Sequence, residues 1–467
     1  VRGAVVRGRQ GTTQLAERNT DEAGRYFVTF METGTVSVVA LTKTLSPPIQ
    51  VEDNTDGNAV WAIGTSLTAA NATVNLRATH GWTGSSYVAT ARTAAPFAIL
   101  DSMYTASKGF IDAGRSPSYP PLKVNWSPDN VSSDTISYAA GLIGTSHYAP
   151  TEGEIYILGK VGEDTDEFDN HVIVHEWAHY FEDQLSRSDS PGGSHGTGDV
   201  LDPRLAFGEG YGTAIASILL RDPIYADTGW WNGYSLDAFG FSAETTPSPT
   251  DDFDAAGTGL NPGPFSEMSI IRALWDLWDD SGTSEAWDLA STPLGTFYDV
   301  LVGPEKTTPA FTTIASFIDG LKDQPGVNVS AVDALLLHYG IEMIGNEWGY
   351  GNADFFGSPA SMYRSVAVPS GSQSFTLDGR FYPNTQQQNR YLVFAATGSS
   401  VTVTGSSSYD VDLEAYHHGV LLDYDWSTNT TPYLSFATTP GEVYVVLLNG
   451  WGDVNGTYTA TVNVSTP

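Results

Sequence analysis

The sequence predicts a multidomain chain: a central α+β region flanked by two all-β sandwich regions. Three observations lead there. The middle of the chain shows helical periodicity and carries an H-E-x-x-H motif. Before and after it, short apolar segments alternate in period two and are broken by glycine-rich turns. And 467 residues exceed what a single hydrophobic core organises. Composition changes near residues 88 and 368, which gives the expected divisions 1–88, 89–367 and 368–467.

In residues 1–88, Val5-Val6, Tyr26 to Phe30, Thr35 to Val39 and Val74 to Arg77 have strand length and strand patterning. The segment from Thr20 to Tyr26, T-D-E-A-G-R-Y, resembles the T-D-x-x-G-x-Y/F turn of carboxypeptidase-regulatory-like β-sandwiches. That resemblance implies an accessory β-sandwich.

The central region opens with a helix. Pro96 suits a first helical position, and Leu100, Met103, Tyr104 and Ile111 continue a stripe to about residue 112. Residues 154–159 read as a short strand. The stretch from His171 to Leu185, H-V-I-V-H-E-W-A-H-Y-F-E-D-Q-L, follows. Val174, Trp177, Ala178, Phe181 and Leu185 form an apolar helical stripe, and His175, Glu176 and His179 lie off it. Imidazoles at i and i+4 share one helix face and reach one metal ion; the intervening glutamate suits a general base.

A catalytic zinc takes three protein ligands and keeps a fourth position for water. The metzincin continuation is excluded, because Glu182 stands at its glycine and Leu185 at its final histidine. A second helix over 206–220, A-F-G-E-G-Y-G-T-A-I-A-S-I-L-L, offers Glu209 instead. Its neighbours are small and apolar, so the carboxylate needs a partner. His195, Asp199 and Asp202 compete for the same role. H-E-W-A-H followed by G-E-G-Y-G-T-A resembles the gluzincins, the thermolysin-like metallopeptidases. The resemblance implies a zincin-like fold for 89–367. It also implies zinc on His175, His179 and Glu209, with Glu176 activating water. The sequence departs from that family at Thr213, where an aspartate orients a histidine. The resemblance also offers residues 154–159 as the sheet edge that holds a substrate backbone; an ordinary core strand is the alternative.

His195 lies in the Gly/Ser loop 186–202. With Tyr211, Tyr225, His338 and Tyr339 it is a candidate donor to a developing oxyanion. Helices are expected again from Phe265 to Asp280 and from Ala331 to Tyr339. The loop 244–264 reads as a lid or an ion site. Acidic clusters at 163–169 and 251–254 offer oxygens to calcium, the alternative being solvated loops. His171 reads as a neighbour of the ligands or a solvent-exposed residue.

After residue 368, S-G-S-Q-S-F-T-L-D-G, R-Y-L-V-F-A-A-T-G, S-S-V-T-V-T-G, V-D-L-E-A-Y-H-H-G, E-V-Y-V-V-L-L-N-G and G-T-Y-T-A-T-V-N-V read as sandwich strands. Asp410 to Tyr416, Gly441 to Val445 and Gly456 to Tyr458 resemble the bacterial pre-peptidase C-terminal domain. That resemblance implies a secreted, extracellular protein. Since every candidate ligand lies between 175 and 209, residues 368–467 are expected to be dispensable for metal binding.

The net charge of −33 repels nucleic acid and anionic membranes. No apolar run has the length of a membrane span. There is no cysteine, and a large core needs none. Taken together, the resemblances imply a secreted zinc metalloendopeptidase acting on a protein or peptide substrate. An aminopeptidase of the same class is one alternative. A surface adhesion or binding protein with a structural zinc is another. The sequence gives no reading of oligomeric state.

Overall fold

The computed structural model describes residues 1–32, 34–68, 72–196, 198–231, 235–242, 261–279, 288–352, 361–452 and 454–466. The acidic cluster 251–254 and most of the 244–264 loop lie outside them. The chain forms two compact units. The first is Val1–Leu185 with Ile215–Ser242; the second is Ser186–Ala214 with Ala243–Pro467. Among the described residues no helix is long and apolar enough to cross a membrane.

The first unit begins with β1 (Val5–Gln10), β2 (Thr13–Asn19), β3 (Val36–Leu41), β4 (Ile49–Asp53), β5 (Ala59–Val60) and β6 (Ala62–Leu67). Four of these make an antiparallel sheet in the order β2-β1-β3-β6. Alternation decides its inner face: Val36, Val38 and Ala40 are buried, and Ser37 and Val39 are half-buried. Residues 26–30 and 74–77, expected as strands, form none. Tyr26, Val28 and Leu76 of these segments pack on the core of Val6, Val38, Ala40 and Phe97. The Tyr26 hydroxyl donates to the Val74 carbonyl at 2.9 Å, tying the two segments together. Their period-two pattern reflects packing without ladder hydrogen bonds.

Then come α1 (Ala95–Asp112), β7 (Leu122–Trp126), β8 (His147–Ala149), β9 (Glu154–Ile157) and α2 (Asn170–Leu185). A five-stranded sheet has the order β5-β4-β7-β9-β8, so its strands come from both sides of residue 88. β4, β7 and β9 are parallel to one another, and β5 and β8 run antiparallel at its edges. Val51, Val124 and Ile155 are fully buried, as parallel strands require. β9 is therefore an inner strand, and the edge reading of residues 154–159 is corrected: the edge beside it is β8. The apolar stripe of α2 packs on α1, with the Phe181 ring 4.8 Å from Phe110.

The loop entering α2 is fastened by a buried ion pair. Arg92 bonds Glu167 and the Gly159 carbonyl, and both charged side chains are essentially inaccessible. The guanidinium also lies 5.3 Å from the Trp126 ring centre. Burial pushes the Glu167 carboxyl up, and Arg92 opposes that shift.

Helix α3 (Pro203–Leu220) runs from the second unit into the first. Its start is set by D-P-R. Asp202 accepts the Arg204 backbone N–H at 2.9 Å, and Pro203 occupies the first turn, where a missing N–H costs nothing. The start lies earlier than the expected 206 because the cap, not the apolar run, defines it. Within the first unit, a Cβ at Gly109 would stand 2.2 Å from Leu219, so α1 needs glycine there. The hairpin β10 (Ile224–Trp231) and β11 (Ser235–Ser242) completes the first unit.

The second unit holds α4 (Glu267–Trp278), α5 (Leu294–Val300), α6 (Ile314–Lys322) and α7 (Val329–His338). The strands that follow are β12 (Tyr363–Ser365), β13 (Ser372–Asp378), β14 (Asn389–Ala395), β15 (Ser400–Ser407), β16 (Val411–His417), β17 (Val420–Asp425), β18 (Tyr433–Ala437), β19 (Val443–Gly450) and β20 (Thr457–Ser465). They form two sheets, β12-β14-β19-β16-β17 and β13-β20-β15-β18, around a core that includes Leu392, Val403, Leu413, Val446 and Val462. This is a β-sandwich containing every strand expected after residue 368. It adds β17 and β18, whose exposed Val420, Tyr424 and Tyr433 hide the pattern.

Residues 368–467 do not stand apart from α3. The Tyr391 hydroxyl of β14 bonds the Asp202 carboxylate, and Arg204 lies 4.8 Å from the Phe311 ring centre and 5.7 Å from Tyr391. The C-terminal region thus makes contacts that help seat the start of α3.

Two outcomes follow. Arg92→Met strands a buried carboxylate and should cost about 3–5 kcal/mol in denaturant unfolding, with Arg92→Met/Glu167→Leu recovering part of it. Tyr391→Phe removes one donor from a buried carboxylate and should cost about 1–3 kcal/mol in the same measurement.

Candidate metal centre

The apolar stripe of α2 packs on α1, and the two histidines lie on another face of the helix. His175 and His179 emerge there, both half-buried. Their Nε2 atoms are 2.9 Å apart, and their rings stand at 82°. The metal-ligating atoms of His175, His179 and Glu209 all lie within 4.8 Å of one another. Two nitrogens each about 2.0–2.1 Å from one zinc are at most about 4.2 Å apart, so the imidazole pair fits a shared ion. Two nitrogens and a carboxylate oxygen are also a zinc donor set.

The competing ligands are placed elsewhere. Asp202 is taken by Arg204 at 3.0 and 3.1 Å and by Tyr391. Neither Asp199 nor His195 belongs to the group of converging ligand atoms. His195 instead stands beside Glu209, its Nε2 3.5 Å from the Glu209 carboxylate and 3.9 Å from Glu267. Glu209 holds its place on α3 because Gly210 lets that helix close on α4. A Cβ at Gly210 would stand 2.7 Å from Ile270 and 3.0 Å from the Glu267 carbonyl. One of the glycines flanking Glu209 thus marks a close approach. Thr213 is buried.

Glu176 is buried and accepts the Tyr148 backbone N–H of β8 on Oε2 at 2.8 Å. The edge strand thus holds the proposed base, a contact no sequence pattern signals. His171 is buried, not exposed. Its Nε2 lies 3.1 Å from the Asp222 carbonyl, its ring 5.5 Å from Tyr225, and burial lowers its pKa. Among the other oxyanion candidates, Tyr211 is buried against Phe207 and Tyr339 donates to Asp276; His338 lies against Tyr339. Glu267 was not foreseen; its signal is position, in the first turn of α4 behind the Ser266 cap.

Two further groups converge. Asp164, Asp166 and Asp227 bring carboxylate oxygens within 4.8 Å of one another. Only the first two belong to the expected acidic cluster. Burial first, then the other carboxylates, pushes Asp166 well up and Asp227 up to about 7. Asp169, next to them, is pushed up to about 6 by burial and accepts the Thr228 N–H at 3.0 Å. His417, His418 and Glu442 form the third group, with His417 stacked 4.8 Å from the Tyr444 ring centre.

No family model matches the chain, and no curated protein matches it. Solved structures are similar to parts of it, two of them as follows. One is the pre-peptidase C-terminal domain of a collagenase from Bacillus anthracis, at 12% identity and a TM-score of 0.18, covering 22% of this chain and 94% of that one. The other is CorA, a surface-associated copper-binding protein important in copper acquisition by Methylomicrobium album BG8. It is 8% identical, with a TM-score of 0.17, and covers 23% of this chain and 99% of that one. At these scores the two likenesses decide nothing about the function of the chain.

Proposed function

We propose that the chain is a zinc-dependent peptidase that hydrolyses peptide bonds outside the cell. The observation that carries this reading is the convergence of the ligand atoms of His175, His179 and Glu209, with Glu176 one residue from the first histidine. Zinc held there would lower the pKa of a bound water and polarise the scissile carbonyl.

The chain's own residues supply the rest. Glu176 is held through Oε2 by the Tyr148 N–H, which leaves Oε1 to take a proton from the attacking water and pass it to the leaving amine. Its hold on the edge strand fixes which way that oxygen faces. A peptide laid along the outer edge of β8 by strand addition would lie beside Glu176. His195, its Nε2 3.5 Å from the Glu209 carboxylate, is taken as the donor to the developing oxyanion.

A structural zinc site closes its coordination with protein and has no use for a base. Among the described residues no fourth histidine or carboxylate joins the three ligands, and Glu176 is in place. This favours the catalytic reading over a surface binding protein.

The test is a protease assay on the full chain with zinc content measured in parallel. Wild type should cleave unfolded protein substrates and lose that activity to a chelator. Glu176→Gln should keep zinc and lose about 10²–10⁴-fold in rate. Glu209→Gln should lose zinc instead. A zinc-loaded wild-type chain that cleaves nothing, or a fully active Glu176→Gln, would overturn the proposal.

A further inference from the structure

The acidic group in the first unit lies outside the proposed zinc ligands and has chemistry of its own. Asp164 and Asp166 come from the loop before α2, and Asp227 comes from β10. Backbone pairing of Asp164 with Gly229 brings that loop against the hairpin, and Gly229 leaves room for the Asp164 carboxylate, which would stand 2.9 Å from a Cβ there. Asp166 is 3% exposed. Its Oδ2 accepts from the Ser146 hydroxyl, but its Oδ1 is buried with no hydrogen-bond donor.

A buried, unsatisfied carboxylate oxygen is costly, and two more carboxylates beside it add repulsion. Among the described residues no lysine or arginine forms an ion pair with any of the three. Arg92, which bonds Glu167 in the same loop, is committed to that partner. What the group lacks is positive charge at the point where the oxygens meet.

We propose that Asp164, Asp166 and Asp227 bind one calcium ion, which fastens the β10–β11 hairpin to the loop that leads into α2. The donors are all hard oxygens, with no imidazole or thiolate, so the site suits calcium or magnesium and not zinc. Several carboxylates from separate segments suit calcium, which accepts irregular, oxygen-rich shells; magnesium usually keeps most of its water and uses one or two carboxylates. The ion would replace repulsion with a link between segments far apart in the chain. The adjacent Asp169–Thr228 bonds, which pin the same two segments, would then be reinforced.

The experiment uses the full chain, zinc-loaded, stripped of calcium and held at constant ionic strength with sodium chloride. Calcium is titrated calorimetrically, and melting is followed with added calcium, magnesium or sodium. Wild type should bind calcium, and its melting temperature should rise with calcium well beyond what magnesium or sodium achieves. Asp227→Asn should weaken calcium binding about tenfold or more and lose the calcium-specific shift. Without calcium, the same variant should melt at or above the wild-type temperature, because it removes repulsion; a variant that merely misfolds would melt lower. No calcium binding, an equal effect of magnesium, or calcium binding unchanged by Asp227→Asn would overturn the proposal. None of these readouts depends on peptidase activity, so the two proposals fail separately.

Discussion

Two imidazole nitrogens 2.9 Å apart with a carboxylate beside them set the terms for this protein. Such a group is uncomfortable without a shared proton or a cation, and it forms only if the helices carrying it are held firmly. Each is held by a different means. α2 is gripped along its apolar stripe by the aromatic core with α1, and at its entrance by the Arg92–Glu167 pair. α3 is held at its start by Asp202, Arg204 and Tyr391, and beside Glu209 by its close approach to α4 at Gly210.

The same logic applies to the buried charge on the segments that lead into α2 and α3. Arg92 with Glu167 and Arg204 with Asp202 are nearly inaccessible pairs, each backed by hydrogen bonds and aromatic faces. Pairs of this kind add little net stability compared with apolar packing, but losing one partner is expensive. They therefore specify geometry. The Asp164, Asp166 and Asp227 group is the contrasting case: converging carboxylates, one of them buried, with no lysine or arginine in an ion pair with them among the described residues.

Much of this was legible in the sequence where a local period or a local motif carried it. The stripe of α2, the i, i+4 histidines and the sandwich strands are written in spacing alone. The start of α3 was misplaced because Asp202 and Pro203 announce the helix before its apolar run does. Residues 154–159 were open between edge and core because period and length do not encode strand order; pairing with β8 decided it. Residues 26–30 and 74–77 alternate like strands because they pack on a sheet, and packing does not require ladder bonds. The β8 backbone contact of Glu176, and Asp227 joining Asp164 and Asp166, depend on tertiary approach and leave no trace in local sequence.

The central claim is that His175, His179 and Glu209 form one open metal centre, and its most direct measurement is zinc-edge X-ray absorption on the zinc-loaded full chain. The expected spectrum shows two imidazole nitrogens at about 2.0–2.1 Å, a carboxylate oxygen, and one further light atom that an added hydroxamate displaces. A spectrum with four protein ligands and no response to hydroxamate, or a chain that retains no zinc after dialysis, would contradict it.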